Sequence, residues 1–167
     1  MRCFVRLVSI CAICFIFYCA VISATTISIG SAVFASNSGP LIISEFMASN
    51  STTILDEDGE ASDWIELYNS GTNTISLQGY YLTDDSTVMN QWAFPNMTLN
   101  AGGRLIVFAS KKDRAVAGSE LHTNFKLSAG GEYLALSDGA SAIASDYGPM
   151  YPQQYADVSF GFDSSAS

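Results

Sequence analysis

Cysteine is missing from almost the whole chain: its four copies, Cys3, Cys11, Cys14 and Cys19, all lie at the N-terminus. Whatever folds after them has no disulfide, no thiolate metal site and no cysteine nucleophile, and is held by its core alone. Histidine is almost as scarce, with His122 the single copy. A serine-type relay needs a nucleophile, a base and an orienting acid, and no Gly-x-Ser-x-Gly elbow, His-Glu-x-x-His motif or phosphate-cradling glycine loop accompanies it. His122 is therefore expected to be a strand residue whose ring bonds a neighbouring loop, and no catalytic residue is assigned. Positive charge is short as well: 7 Lys and Arg stand against 16 Asp and Glu, for a net charge of -9. Such a surface repels nucleic acid and anionic lipid, so no nucleic-acid partner is expected. The one basic cluster, Lys111-Lys112-Asp113-Arg114, is short, carries an acid of its own, and is expected to be a solvated loop tip. Helical periodicity is absent throughout.

The N-terminus is a separate matter. Arg2 and Arg6 precede an almost wholly apolar run from Leu7 to Ala24, the order of a secretory signal peptide. Small-residue cleavage sites follow Ala24 and Ala35, and both stay open. The run is close to the lower limit of about 18 residues for spanning a bilayer, so an uncleaved leader is the one route to a membrane. A lipid anchor is disfavoured, because Cys11, Cys14 and Cys19 follow large residues. The expectation is a signal peptide over 1–35, a linker over 36–40, and a secreted or cell-surface location. Loss of Arg2 and Arg6 would leave the remainder more acidic still.

Beyond the leader the chain reads as short strands separated by Gly, Asn and Asp turns. Leu41–Met47 and Trp64–Tyr68 alternate apolar and polar residues, the pattern of half-buried strands. Thr74–Leu82 is read as one strand with a bulge at Gly79; Gln91–Phe94 is a short strand stopped by Pro95; Arg104–Ala109 is the most apolar. Leu121–Leu127 is extended. Glu132–Ser137 and Ala142–Tyr147 flank Asp138-Gly139, a hairpin signal, and Val158–Phe160 is the last extended piece. Strands about ten residues apart predict an all-β sandwich or barrel. The predicted core is Ile43, Ile65, Leu67, Leu77, Leu82, Phe94, Leu105, Val107, Phe125, Leu134 and Leu136, each contributing roughly 1.5–3 kcal/mol on burial.

In these residues the chain resembles the lamin-tail domain family, including its bacterial exported members. The blocks that carry the likeness are Ile43-Ser44-Glu45-Phe46-Met47-Ala48-Ser49-Asn50, Asp56-Glu57-Asp58-Gly59 with Asp63-Trp64-Ile65-Glu66-Leu67-Tyr68-Asn69, and Leu77 to Asp85. Trp92-Ala93-Phe94-Pro95, Gly103 to Ser110 with Lys112-Asp113-Arg114, Leu121 to Leu127, Gly131 to Leu136 and Ser159-Phe160-Gly161 complete the set. The resemblance covers about residues 41–162 and implies an immunoglobulin-like β-sandwich. Bacterial members usually continue past the last block into a further Pro/Thr/Gly/Asn-rich segment, whereas here a polar tail over 163–167 follows. Either the sequence is a fragment, which is the favoured expectation, or the last sheet closes differently. The nuclear and DNA partners of lamin tails do not transfer to an exported acidic member.

Two groups of residues are candidates for binding. Asp56, Asp58, Glu60 and Asp63 place oxygen ligands around Gly59, like the opening of a calcium loop, although the twelve-residue loop with its terminal glutamate is not complete. The alternative is an Asx-rich turn whose carboxylates bond their own backbone. Tyr80, Tyr81 and Trp92, with Trp64, are candidates for a platform that stacks on a sugar or packs on a protein; core packing is the competing role. Asn50-Ser51-Thr52 and Asn96-Met97-Thr98 fit the N-glycosylation pattern, which matters only in a eukaryotic secretory pathway. The expected function is a non-catalytic, exported binding or adhesion module presenting an acidic, aromatic-bearing surface to a protein or glycan partner, within a longer secreted protein. The alternative, suggested by the resemblance, is an accessory domain of a secreted enzyme (a spore-coat-type kinase, a nuclease or a phosphatase) whose catalytic part lies beyond residue 167.

Overall fold

The computed structural model describes residues 35–139 and 142–161. The expected leader and the polar tail lie outside this range, while Ala35, ahead of the second expected cleavage site, packs half-buried against the core. In chain order the strands are β1 Ser36–Asn37, β2 Leu41–Met47, β3 Asp63–Asn69, β4 Ile75–Ser76, β5 Tyr80–Thr83 and β6 Trp92–Ala93. They continue as β7 Thr98–Leu99, β8 Arg104–Ala109, β9 Leu121–His122, β10 Ala135–Asp138, β11 Ile143–Asp146 and β12 Phe160–Gly161. Two five-stranded sheets face each other, one in the order β1-β11-β10-β5-β6 and the other in the order β12-β2-β3-β8-β9. The short β4–β7 pair forms a third sheet. All pairings are antiparallel except β8 with β9. The architecture is the immunoglobulin-like sandwich.

Alternation decides which side chains meet between the sheets. In β3, Ile65 and Leu67 are fully buried in the core while Trp64 faces the other way. In β2 strict alternation would carry Ile43, Glu45 and Met47 inward together. A bulge prevents this: Ile43 pairs with Leu67 and Glu45 with Glu66, leaving Ser44 as the extra residue. The bulge re-phases the strand so that Ile43 and Phe46 both enter the core. Phe46 then meets Tyr147 at 5.0 Å, Tyr151 at 4.6 Å and Phe160 at 5.7 Å between ring centroids. The buried aromatic centre thus joins β2 to the C-terminal segment.

The same bulge is closed by side chains of the opposing sheet. The Ile43 N–H donates to Ser145 Oγ at 3.1 Å and the Tyr147 hydroxyl donates to the Ile43 carbonyl at 3.2 Å. Both bonds are buried, so groups that would otherwise be costly to desolvate are satisfied across the sandwich.

Several sequence expectations change. Thr74–Leu82 is two strands in different sheets, because Gly79 takes a φ of +90° and turns the chain out of β4 before β5 begins. Ser36–Pro40 is not only linker, since Ser36 and Asn37 pair with β11. Thr98–Leu99, between two of the expected strands, forms a strand of its own that pairs with β4. Leu121–Leu127 is a strand only at its first two residues, with an isolated bridge from Lys126 to Ser110 farther on, and β12 starts at Phe160. Leu105 is only half-buried, whereas Leu41, Phe46, Trp92, Leu121, Tyr147 and Tyr151 join the core.

Gly131 has a φ of +96°, and a Cβ there would run into the Tyr151 carbonyl oxygen. Gly59 has a φ of +78° with open space around it. Gly131→Ala is therefore expected to lose at least about 2 kcal/mol in urea denaturation and Gly59→Ala only about 1 kcal/mol, since the second carries backbone strain without a clash.

Candidate functional site

Met47, Trp64 and Phe108 form a second buried cluster, with Ile106 packed beside it, on the side of their sheet that faces away from the core. A row of large apolar side chains on an outer face needs a cover. The segment 48–62, between β2 and β3, supplies part of it: the Thr53 hydroxyl reaches the Met47 sulfur at 3.4 Å. Asn50 gives the segment its shape. Its amide donates to the carbonyls of Ile54 and Ser62, at 2.7 and 2.8 Å, and its carbonyl accepts the Thr53 N–H.

Asp56 is the inner anchor of this segment, with a side chain 0% exposed. Its Oδ1 accepts the N–H groups of Asp58 and Glu60, at 3.0 and 3.1 Å, and its Oδ2 accepts the Ser62 hydroxyl at 2.7 Å. The Asx-turn expectation holds for this residue. Lys112 completes it: the Nζ lies 2.7 Å from Asp56 Oδ2, 2.7 Å from Asp58 Oδ2 and 3.0 Å from Glu60 Oε2. Lys111 and Asp113, on either side, hold left-handed φ angles of 67° and 54°, a turn that directs the lysine back to the loop. Arg114 adds a second cation, 2.8 Å from Glu57 Oε1 and 2.8 Å from Asp58 Oδ2. Burial alone would raise the Asp56 carboxyl; the Lys112 ammonium, the Ser62 hydroxyl and the two backbone N–H groups outweigh it and hold the group well below the usual carboxylate range. Burial likewise opposes the charge on Lys112, and the three carboxylates overcome it and push the ammonium above its ordinary value.

His122 lies beneath this assembly. Its ring is stacked on Phe108 at 5.4 Å and is fully buried. Nδ1 is 2.8 Å from Ser110 Oγ, while Nε2 is buried without a hydrogen-bond partner, 3.9 Å from Glu57 Oε1. Burial, followed by the charge of Lys112, pushes the ring below its ordinary pKa. As expected from the sequence, His122 is a strand residue whose ring bonds a neighbouring connection, at Ser110 just past β8. Ser110, a buried serine beside a histidine, was not singled out from the sequence, where nothing links residues twelve apart.

The site residues read from the sequence are distributed differently from the expectation. Asp56, Asp58 and Glu60 do converge, but the cation among them is Lys112. Asp63 stands apart, accepting the Asn50 N–H at 3.0 Å, and burial raises its carboxyl. It lines a polar cleft of about 300 Å³ with Glu60, Ser62, Ser110 and Lys126. Among the described residues no group of three or more His, Cys, Asp and Glu side chains is placed to hold a metal ion. Lys112 thus lies among Asp56, Asp58 and Glu60, in the position the sequence reading gave to a calcium ion. The basic block is corrected, since Lys112 and Arg114 are counterions rather than a free loop tip.

The aromatic platform also divides. Trp92 is 2% exposed and packs on Phe94 in the core. Tyr80 leans on the core as well. Tyr81, its neighbour in β5, points to the opposite face, and is the one of the three on the outer side of its sheet. Across that face runs a row of paired residues, Ala93, Tyr81, Ser137 and Ile143. The 84–91 segment lies over the row, with the Ser137 hydroxyl donating to the Met89 carbonyl and the Asp85 N–H donating to Thr83 Oγ1. Of the glycosylation candidates, Asn50 is buried and committed to its turn, while Asn96 is exposed.

A family model for the Lamin Tail Domain matches residues 35–149. The chain belongs to the lamin tail domain family. Domains of this family are immunoglobulin-like and generally non-catalytic. The match ends before Ser159-Phe160-Gly161, where β12 nonetheless pairs with β2. Comparison with curated proteins finds no match to the chain.

Asp56→Ala removes the one fully buried carboxylate of the three around Lys112 and leaves two loop N–H groups without their acceptor, and is expected to cost about 2–4 kcal/mol of unfolding free energy by urea titration. Because the folded-state pKa of Asp56 lies below its ordinary value of 3.8, its stabilisation is complete above that value and is lost as pH falls beneath it. The difference between wild type and Asp56→Ala should therefore be constant from pH 7 to 8, to within about 0.5 kcal/mol, and shrink below about pH 4. Millimolar calcium should move the melting temperature by less than about 1 °C relative to EDTA, since a ligand stabilises only a state that binds it.

Proposed function

We propose that this lamin tail domain is an exported, non-catalytic binding module that meets a protein or glycan partner through the outer face carrying Tyr81. The observation that carries this reading is the row Ala93–Tyr81–Ser137–Ile143, with Ala93 exposed, Ile143 36% exposed and Tyr81 half-exposed. Val88, 42% exposed, and the carboxylates of Asp84 and Asp85 lie on the adjoining 84–91 segment. An amphipathic tyrosine flanked by an aliphatic residue and acids suits a sugar face or a polar protein surface. The acidic loop near Lys112 is less suited, because its charges are already neutralised from within the chain.

Support for a non-catalytic role comes from His122, the chain's one histidine, which is fully buried and so has no exposed face from which to act as a base. The N-terminal run of apolar residues behind Arg2 and Arg6 supports export.

Binding of the purified protein to an array of surface polysaccharides and extracellular proteins tests the reading. A specific hit should weaken at least about tenfold, or roughly 1.4 kcal/mol, in Tyr81→Ala. Hits that survive both Tyr81→Ala and Ile143→Asp unchanged would place the contact elsewhere. Turnover of generic hydrolase substrates by the purified protein would overturn the non-catalytic part.

A further inference from the structure

We propose that His122 is an acid sensor beneath the 48–62 segment: protonation of its ring releases that segment from the outer face of its sheet and bares Met47, Trp64 and Phe108. The geometry leaves an imidazolium without a second acceptor. A neutral ring can bond the Ser110 hydroxyl through Nδ1, at 2.8 Å, and leaves a single uncharged atom, Nε2, unpaired. A charged ring carries a proton on both nitrogens, and Nε2 is buried with no partner. The nearest carboxylate oxygen, Glu57 Oε1, is 3.9 Å away and is held by Arg114 at 2.8 Å. Glu57 is fixed at its backbone too, its N–H donating to Glu120 Oε2 at 2.6 Å. Ser110 Oγ already accepts the Lys112 N–H at 3.3 Å.

Charges face the ring from each neighbouring element. Lys112 and Arg114 come from the β8–β9 connection and oppose protonation, while Asp56 and Glu57 come from the 48–62 segment and favour it. Phe108 and Ser110, from β8 and just beyond it, are neutral. Burial tips the balance toward the uncharged ring.

The strand that carries the ring is held in place, its His122 N–H and C=O both bonded to the Arg114 backbone at 2.9 Å each, and the ring itself is fully buried against Phe108. The part free to yield is the acidic segment, which is held from outside by Lys112 and Arg114. Apart from Asp56, its carboxylates are 39–66% exposed, and exposed ion pairs contribute little. Opening it admits water to Nε2 and lets Glu57 turn toward the imidazolium. A histidine with a lowered folded-state pKa supports the closed form fully above its ordinary value of 6.5, and that support falls away as pH drops below it.

Hydrogen exchange followed by mass spectrometry, corrected for the intrinsic pH dependence of exchange, tests this on the purified protein between pH 7.5 and 5. Peptides from 48–62 should exchange at least about tenfold faster at pH 5, the change expected when the closed form loses support over one pH unit. Peptides from β10 and β11 should be unchanged. In His122→Asn, whose side chain cannot gain a charge, the acid response should vanish. Equal acceleration in the β10–β11 peptides, unchanged or slower exchange in 48–62, or an acid response that persists in His122→Asn would each overturn the proposal. The comparison of peptides within the wild-type protein decides the matter even where the variant fails to fold.

Discussion

The Lys112 ammonium, set among Asp56, Asp58 and Glu60, is the contact on which the covered face of this sandwich depends. The domain described here has no cysteine to tie its loops. A segment as acidic as 56–63 repels itself and has no apolar residues to bury between Asp56 and Glu60. What holds it down is a cation reaching from the β8–β9 connection, more than fifty residues away, into a carboxylate already organised by its own backbone. Asp56 is oriented by the N–H groups of Asp58 and Glu60 and by Ser62, so the lysine meets a preformed acceptor and less entropy is lost in closing the contact.

The two sheets solve the same problem in different ways. Each is apolar on its inner face, and each has buried side chains on its outer face. On the β2–β3–β8 sheet these are Met47, Trp64 and Phe108, covered by a charged segment pinned by ions. On the β5–β10 sheet they are Thr83, Ala135 and Ser137, all fully buried, beneath the neutral contacts of the 84–91 segment. There Gln91 Oε1 accepts the Thr83 hydroxyl at 2.8 Å, and Asn124 fastens the Gln91 carbonyl at 2.9 Å. The first cover is fastened to the sheet by ion pairs, the second by bonds from uncharged side chains. That contrast separates the face proposed to bind from the face proposed to sense acid.

The sandwich was legible in the sequence because alternation and turn chemistry are local. Leu41–Met47, the β3 strand and Arg104–Ala109 are each recognisable as strands within six or seven residues. The misreadings fall where a local pattern is overridden by something distant. Thr74–Leu82 looks continuous, yet Gly79 adopts a positive φ and sends its two halves to separate sheets. The bulge at Ser44 is invisible until Phe46 meets Tyr147 and Tyr151. The family resemblance reached the same fold from ordered blocks rather than from periodicity.

The candidate site was half legible. The acidic residues were identifiable as a group, and their spacing is compatible with calcium or with an Asx turn. The counterion was not, because Lys112 sits 56 residues from Asp56 in a cluster that looks like a solvated tip. Tyr80 and Tyr81 looked equivalent, but adjacent strand residues face opposite ways, and only one of them can serve an outer surface.

A double-mutant cycle between Asp56→Asn and Lys112→Met, read as unfolding free energy in urea, tests the central role of this ion pair most directly. A coupling energy of at least about 1.5 kcal/mol is predicted at pH 7, because each partner is desolvated by the other's segment. A coupling within about 0.3 kcal/mol of zero would mean that the ammonium and the carboxylate act independently, and that something other than their pairing holds the acidic segment over the sheet.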